Sequence, residues 1–177
     1  RYCVLLSQPP RLPQHLPLPA WRKGVLQLGR TLAGEVTVPW EDLGNVLIAA
    51  MKREGKSTLL RAMASQALQE GHQLIVADPQ GLTFAGLRGH QQVLAYGDTL
   101  DTSIQAVHAL REEIARRTTL FRDANADKLE LYNRTVLDPL PRLLVMLDEF
   151  NDFVQNAPAT VADIVRQAAF GAPKYGI

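Results

Sequence analysis

The loop at residues 50–57, Ala-Met-Lys-Arg-Glu-Gly-Lys-Ser, constrains the fold of this chain more than any other sequence feature. The short apolar run at residues 46–49 precedes it, and apolar residues at helical spacing follow it as far as Leu68. We therefore predict a buried strand at residues 46–49, a tight loop, and a helix over residues 57–69. This arrangement is typical of phosphate-binding sites, because the first amides of the helix point toward the loop.

The residue types in this loop suit the chemistry of a bound nucleotide. Gly55 lets the backbone pass close to phosphate oxygens, Lys56 reaches the β- and γ-phosphates, and the Ser57 hydroxyl is a ligand for Mg²⁺. ATP and Mg²⁺ are the predicted cofactors. Gly-Lys-Ser alone is common by chance, so a plain strand–turn–helix with a surface lysine stays open at this point. The predicted nucleotide-binding residues are Ala50, Met51, Lys52, Arg53, Glu54, Gly55, Lys56, Ser57 and Thr58.

A second motif lies further along the chain, at residues 143–149. Residues 143–147 read Leu-Leu-Val-Met-Leu, an apolar run without alternation that indicates a parallel strand covered on both faces. Asp148 and Glu149 follow directly, at the sheet edge where ligands bind in parallel α/β folds. We predict that Asp148 and Ser57 hold Mg²⁺ and that Glu149 activates the attacking water. Glu149 and Lys56 are the predicted catalytic residues.

The rest of the sequence alternates between strand and helix patterns. Residues 74–77 and 92–95 are short apolar runs that predict two more strands. A long helix is predicted from Thr102, which forms a capping-box pattern with Gln105, and another helix over residues 161–170. Alternating strands and helices predict an α/β fold with a mainly parallel sheet flanked by helices.

The beginning of the chain has a different composition. Prolines recur through residues 1–24, which excludes regular helix and argues against a central strand there. We therefore divide the chain into a proline-rich lead-in or linker, residues 1–24, and one nucleotide-binding domain, residues 25–177. The chain starts at Arg1 without a signal-peptide pattern, so we expect it to be a piece of a longer protein.

Composition excludes several classes of protein. The 177 residues are 46% hydrophobic and 21% charged, enough for one domain with a core. The sequence has no stretch of about twenty apolar residues, so we expect no direct membrane contact. The net charge of +1 provides no bulk attraction for nucleic acid. Cys3 is the only cysteine, which excludes an internal disulfide, and the four histidines lack metal-ligand spacing, so surface or packing roles are expected.

Together these features resemble the motor domain of the FtsK/SpoIIIE family of DNA translocases. The resemblance covers residues 25–177, in matching order and spacing. Besides the two motifs above, four further stretches contribute to it: Leu-Gly-Arg-Thr-Leu-Ala-Gly-Glu at 28–35, Ala-Asp-Pro-Gln at 77–80, Ala-Arg-Arg at 115–117 and Tyr-Asn-Arg at 132–134.

The resemblance implies more than the motifs alone. It implies a RecA-like P-loop fold that is incomplete at its C-terminal end, and an ATPase that assembles into a ring, most simply a hexamer. It also implies movement of double-stranded DNA and a cytoplasmic location, with tethering to a membrane through segments outside this chain left open. Arg116 and Arg117 are candidates for an arginine finger, although solvated helix residues are the simpler interpretation.

The phosphate loop departs from the family pattern. The family has glycine where this chain has Ala50, and small polar residues where it has Met51–Glu54. Arg53 replaces a glycine, so a backbone conformation with positive φ would be strained at that position. We expect nucleotide binding and leave efficient turnover open. Gln80, in place of a lysine, also removes a positive charge.

Three alternatives therefore stay beside the DNA motor. The first is a related ATPase that pumps another cargo, as in conjugation coupling or type VII secretion. The second is a degenerate module that binds nucleotide without turnover, which the unusual loop favours. The third is a small-molecule kinase, for which the sequence shows no lid or substrate-binding segment.

Overall fold

A computed structural model describes residues 21–177 of the chain. It begins with an antiparallel hairpin of β1 (Val25–Thr31) and β2 (Gly34–Pro39). Strands β3 (Gln73–Ala77), β4 (Val93–Gly97) and β5 (Leu143–Leu147) form a parallel sheet in the order β4–β3–β5. The helices of the described part are α1 (Lys56–Gln69), α2 (Leu100–Asp123), α3 (Leu129–Thr135), α4 (Phe150–Asn156) and α5 (Ala159–Gly171).

The central strand β3 shows why the sheet forms. Residues 74–77 are fully buried, as their unbroken apolar run predicted. Leu74 and Val76 pack in a core with α1 and the hairpin, whereas Ile75 packs with residues of α2. A sheet covered on both faces by helices confirms the predicted α/β fold with a mainly parallel sheet. The proline-rich stretch up to residue 20, with Cys3 and His15, lies outside the described residues, so the proposed domain boundary stays a prediction.

The predicted strand at residues 46–49 is wrong. These residues form no strand and pair with none in the described part of the chain. A cavity of about 400 Å³ is lined both by residues 43–48 and by β5. Val46 is 50% exposed and Leu47 is 83% exposed. An apolar run becomes a strand only when a neighbouring strand satisfies its backbone, and this segment has no such neighbour among residues 21–177.

The predicted start of the long helix is also wrong, by one turn. The helix begins at Leu100 and its cap is Thr99, whose Oγ1 accepts a hydrogen bond from the Thr102 amide at 3.2 Å. Thr102 Oγ1 in turn accepts from the Thr99 amide at 3.0 Å. Thr102 therefore belongs to the capping box, but it is the third residue of the helix and not the N-cap. Gln105 lies outside the motif.

Gly97, the last residue of β4, lies directly under the first turn of α2. A Cβ atom at Gly97 would lie 2.3 Å from both the N and the Cα of Ser103. The contact is with backbone, which cannot move aside as the end of a flexible side chain can. Glycine is therefore the residue that lets α2 pack this closely on β4.

We predict that Gly97→Ala lowers the free energy of unfolding by about 3 kcal/mol, because the added methyl group forces β4 and α2 apart. Denaturant unfolding measures this change. Gly86→Ala is the matched control, since a Cβ at Gly86 meets nothing within 4 Å. Equal stability of the two variants would contradict the proposed close packing.

The loop before α1 contains a strained residue. Arg53 has a φ of 72°, in the left-handed region, and Gly55 follows with a φ of 90°. The departure of the loop from the family pattern predicted strain at Arg53 if its φ were positive, and the backbone adopts that conformation. For a residue with a Cβ this conformation costs about 1–2 kcal/mol, whereas glycine adopts it freely.

We predict that Arg53→Gly is more stable than Arg53→Ala by about 1 kcal/mol, because only alanine keeps the left-handed strain. Both substitutions remove the arginine side chain, so their difference isolates the backbone effect. Denaturant unfolding of the pair provides the measurement. An alanine variant at least as stable as the glycine variant would show that this position carries no strain.

Candidate nucleotide-binding site

The N-terminus of α1 is open toward the loop that precedes it. Gly55 is the N-cap residue, no side chain caps the helix, and its first turn has no acidic residue. The first amides of this 14-residue helix are thus free of side-chain acceptors. Their partial positive charge, about half an elementary charge, favours an anion at this end.

A cavity of about 540 Å³ lies at this helix end. Among the predicted nucleotide-binding residues, Glu54 is absent from its lining, and Glu149 joins the lining from the second motif. The structure thus brings the two motifs to one cavity. The predicted binding residues that line it are Ala50, Met51, Lys52, Arg53, Gly55, Lys56, Ser57 and Thr58.

The Lys56 side chain connects the two motifs. Its Nζ lies 2.6 Å from Oε1 of Glu149 and 3.0 Å from Oδ1 of Asp148. The hydrogen bond to Glu149 raises the pKa of Lys56 above its ordinary value, and Asp148 raises it further against the opposing effect of burial. The ammonium group therefore stays charged at neutral pH and offers a fixed positive charge beside the cavity.

Asp148 is fixed by the sheet. Its amide donates to the Ala77 carbonyl at 2.9 Å, and its side chain is 4% exposed. Burial alone would raise the pKa of Asp148, but hydrogen bonds from Thr83, Lys56 and the Glu149 amide outweigh it and hold the pKa below its ordinary value. Asp148 is therefore an ionised carboxylate in a rigid position.

Glu149 has a different environment from its neighbour. Its side chain is 40% exposed, and its backbone adopts a left-handed φ of 46° as the N-cap residue of α4. Such a conformation is costly for a residue with a Cβ, and it occurs most often at functional sites. The backbone turns here, so that Asp148 lies at the carboxyl end of β5 and Glu149 lines the cavity.

Thr83 belongs to this site, although the sequence analysis did not find it. Its Oγ1 donates to Oγ of Ser57 at 3.3 Å, and its side chain is one of the groups that lower the pKa of Asp148. Its sequence signal was weak, because a threonine in the loop after β3 has no motif of its own. Ser57 and Asp148, the two predicted magnesium ligands, therefore meet through a third side chain.

The residues present fit a magnesium–nucleotide complex. Hydroxyl and carboxylate oxygens, supplied by Ser57 and Asp148, are the ligand types that Mg²⁺ takes. No group of three or more His, Cys, Asp or Glu side chains among residues 21–177 could hold a metal alone. Mg²⁺ typically binds through one or two protein groups, substrate phosphates and water. When bound, the ion neutralises charge on the phosphate oxygens.

Arg117 is a candidate for the arginine finger. The expectation that it is a solvated surface residue is wrong. Its side chain is fully buried, where Nε donates to Glu113 at 2.7 Å and Nη1 donates to the Tyr175 carbonyl at 2.8 Å. It holds α2 to the end of the described chain and cannot reach a neighbouring molecule. Arg116 is about half exposed and pairs with the same glutamate. Its role as a finger stays untested.

His72 packs edge-on against Trp40, with ring centroids 4.9 Å apart, and so has a packing role. Burial lowers the pKa of His72 to about 4, so this ring is neutral at pH 7.

Over residues 21–177, no helix has both the length and the apolar character needed to cross a bilayer.

Comparisons with known proteins support the same fold. The structure of the conjugation coupling protein TcpA of pCW3, titled as a monomer form with ATPgS, matches with a TM-score of 0.69 and 24% identity. EssC (ATPases 2 and 3) from Geobacillus thermodenitrificans matches with a TM-score of 0.83 and 22% identity. The type VII secretion ATPase EccC from Thermomonospora curvata matches with a TM-score of 0.69 and 22% identity. At these identities the likeness shows the fold.

Coverage is unequal in these matches. They cover 92%, 95% and 90% of this chain, but 48%, 35% and 21% of TcpA, EssC and EccC, respectively. The chain thus spans less than half the length of each of these structures. A search of curated protein sequences finds no match.

The family model described as FtsK/SpoIIIE family matches residues 29–177, which include both motifs and every strand of the parallel sheet. The chain therefore belongs to the FtsK/SpoIIIE family of P-loop ATPases.

Proposed function

We propose that this chain is the ATP-binding and ATP-hydrolysing module of a ring-forming, FtsK/SpoIIIE-type motor. The observation that carries the proposal is the position of Lys56 between Asp148 and Glu149, at the open end of α1. A cation, an uncapped helix end and two carboxylates at one cavity are the groups that phosphoryl transfer from a nucleotide requires.

Each group has a distinct part in the proposed reaction. Lys56 and the loop amides bind the β- and γ-phosphates and stabilise the negative charge that develops during transfer. Ser57 and Asp148 would hold Mg²⁺. Glu149, the more exposed carboxylate, accepts the proton of the attacking water and directs it at the γ-phosphate in line with the leaving oxygen.

The proposed cargo is double-stranded DNA. This follows from the sequence resemblance to DNA translocases, in which the motor works as a ring, most simply a hexamer. A second candidate is a related ATPase that moves another cargo, and it is favoured by a specific observation. Similar structures include a conjugation coupling protein and a type VII secretion ATPase, each with a TM-score of 0.69.

We predict that Lys56→Ala weakens ATP binding at least about a hundredfold, because it removes the positive charge that contacts the β- and γ-phosphates. Isothermal titration calorimetry with ATP and Mg²⁺ measures the affinity. Lys128→Ala, which removes an exposed lysine outside the cavity, is the control and should bind as the natural protein does. Unchanged affinity in Lys56→Ala would remove the phosphate-loop assignment.

We predict that the purified protein hydrolyses ATP, and that Glu149→Gln keeps ATP binding while losing at least about a hundredfold in kcat, because an amide cannot accept the proton of water. Asp152→Asn, an exposed carboxylate in α4, is the control and should keep its activity. A fully active Glu149→Gln variant would exclude Glu149 as the base.

The same assay, with and without double-stranded DNA, separates the candidates. Hydrolysis that rises with DNA supports the DNA motor. Hydrolysis that depends on Lys56 but not on DNA supports a motor for another cargo. Binding that depends on Lys56 without hydrolysis would show that the unusual loop has made a nucleotide-binding module, and would contradict the proposed ATPase activity.

A further inference from the structure

Thr83 lies between the two residues predicted to bind magnesium. Its Oγ1 donates to Oγ of Ser57 at 3.3 Å, and its side chain helps to lower the pKa of Asp148. Ser57 is on α1 and Asp148 follows β5. Thr83, on the loop after β3, therefore lies beside both predicted ligands, in addition to the direct contact of Lys56 with Asp148. Thr83 itself is 8% exposed.

The position of Thr83 is fixed by the carboxylate of Asp78. One oxygen of Asp78, Oδ2, accepts the amide of Thr83 at 2.8 Å and the amide of Phe84 at 2.9 Å. Asp78 is 1% exposed and follows the buried strand β3 directly. The loop therefore has little freedom, and the Thr83 hydroxyl is directed at the site by the end of the central strand.

Counting protons shows what this hydroxyl can do. The carboxylate of Asp148 only accepts hydrogen bonds, whereas a hydroxyl has one proton and two lone pairs. When the Ser57 oxygen gives a lone pair to a cation, its own proton needs an acceptor. In the structure Thr83 Oγ1 donates to Ser57 Oγ at 3.3 Å. With a cation on the Ser57 oxygen this hydrogen bond reverses, so that Thr83 accepts the Ser57 proton and its own proton is free for Asp148, whose pKa the Thr83 side chain helps to lower.

We propose that Thr83 is a positioning residue for magnesium in the ATP site: once Ser57 binds the cation, the Thr83 hydroxyl accepts from Ser57 and donates to Asp148, which orients both ligand oxygens toward that cation. This inference rests on the proposed function. Groups that orient the ligands of a metal typically change its affinity by 10–100-fold. Thr83 does not line the cavity at the end of α1, so we expect its effect to be confined to magnesium.

The test is the gain in nucleotide affinity that Mg²⁺ provides. Binding of a fluorescent ATP analogue is measured in EDTA and in saturating Mg²⁺, and the ratio of the two dissociation constants gives the gain. In Thr83→Val, which keeps the shape but removes the hydroxyl, we expect the gain to fall about tenfold. Affinity in EDTA should not change. Thr83→Ser, which restores the hydroxyl, should restore the gain.

Matched variants separate this role from a loss of structure. Thr118→Val also removes a partly buried hydroxyl, one that donates to the Ile114 carbonyl at 2.7 Å, away from the site, and should leave the gain unchanged. Lys56→Ala should weaken binding both in EDTA and in Mg²⁺. Thermal unfolding without ligand shows whether any variant is destabilised.

Each outcome decides one claim. An unchanged gain in Thr83→Val overturns the role of Thr83 and leaves the proposed function intact, provided that binding still depends on Lys56. Equal losses in EDTA and in Mg²⁺, with a lower melting temperature and no rescue by Thr83→Ser, would assign Thr83 a structural role only and would also overturn the proposal. Absence of binding in the natural protein would overturn the proposed function together with this inference.

Discussion

The proposed site depends on the contact of one lysine with two carboxylates. Lys56 and Glu149 are 93 residues apart in sequence, and the sheet brings them to 2.6 Å. Asp148 and Glu149 are adjacent like charges, which the ammonium between them stabilises. The three charges sum to −1, so an approaching polyphosphate is attracted by the helix end and repelled by the carboxylates. A divalent cation relieves that repulsion, which is why binding of phosphate and of magnesium should be coupled.

Two left-handed residues lie on either side of this contact. Arg53 is in the phosphate loop and Glu149 begins α4, with φ values of 72° and 46°. Each costs about 1–2 kcal/mol, and the surrounding structure has to offset this cost. At Arg53 the loop adopts a conformation suited to glycine without having glycine. We therefore expect the unusual loop to carry a backbone strain that a glycine at this position would remove.

Sequence alone predicted the features whose information is local. The strand β5 and the acidic pair after it could be predicted because five apolar residues and two carboxylates are adjacent in the chain. Thr83 could not, because its role depends on Ser57 and Asp148, which are distant in sequence. The burial of Arg117 depends likewise on Glu113 and on the Tyr175 carbonyl. The seven-residue helices α3 and α4 were missed because two turns contain too few apolar positions to show a period.

Because the strand predicted at residues 46–49 does not form, the phosphate loop and the acidic half of the site are supported unequally. Asp148 and Thr83 are tied to the ends of buried strands by hydrogen bonds of 2.9 and 2.8 Å. In contrast, residues 46–49 pair with no described strand, and the loop that follows is exposed as far as Gly55. In the proposed site, the acidic half therefore fixes the position at which a cation would bind. We expect the phosphate loop, anchored mainly through α1, to be the half that adjusts to the nucleotide.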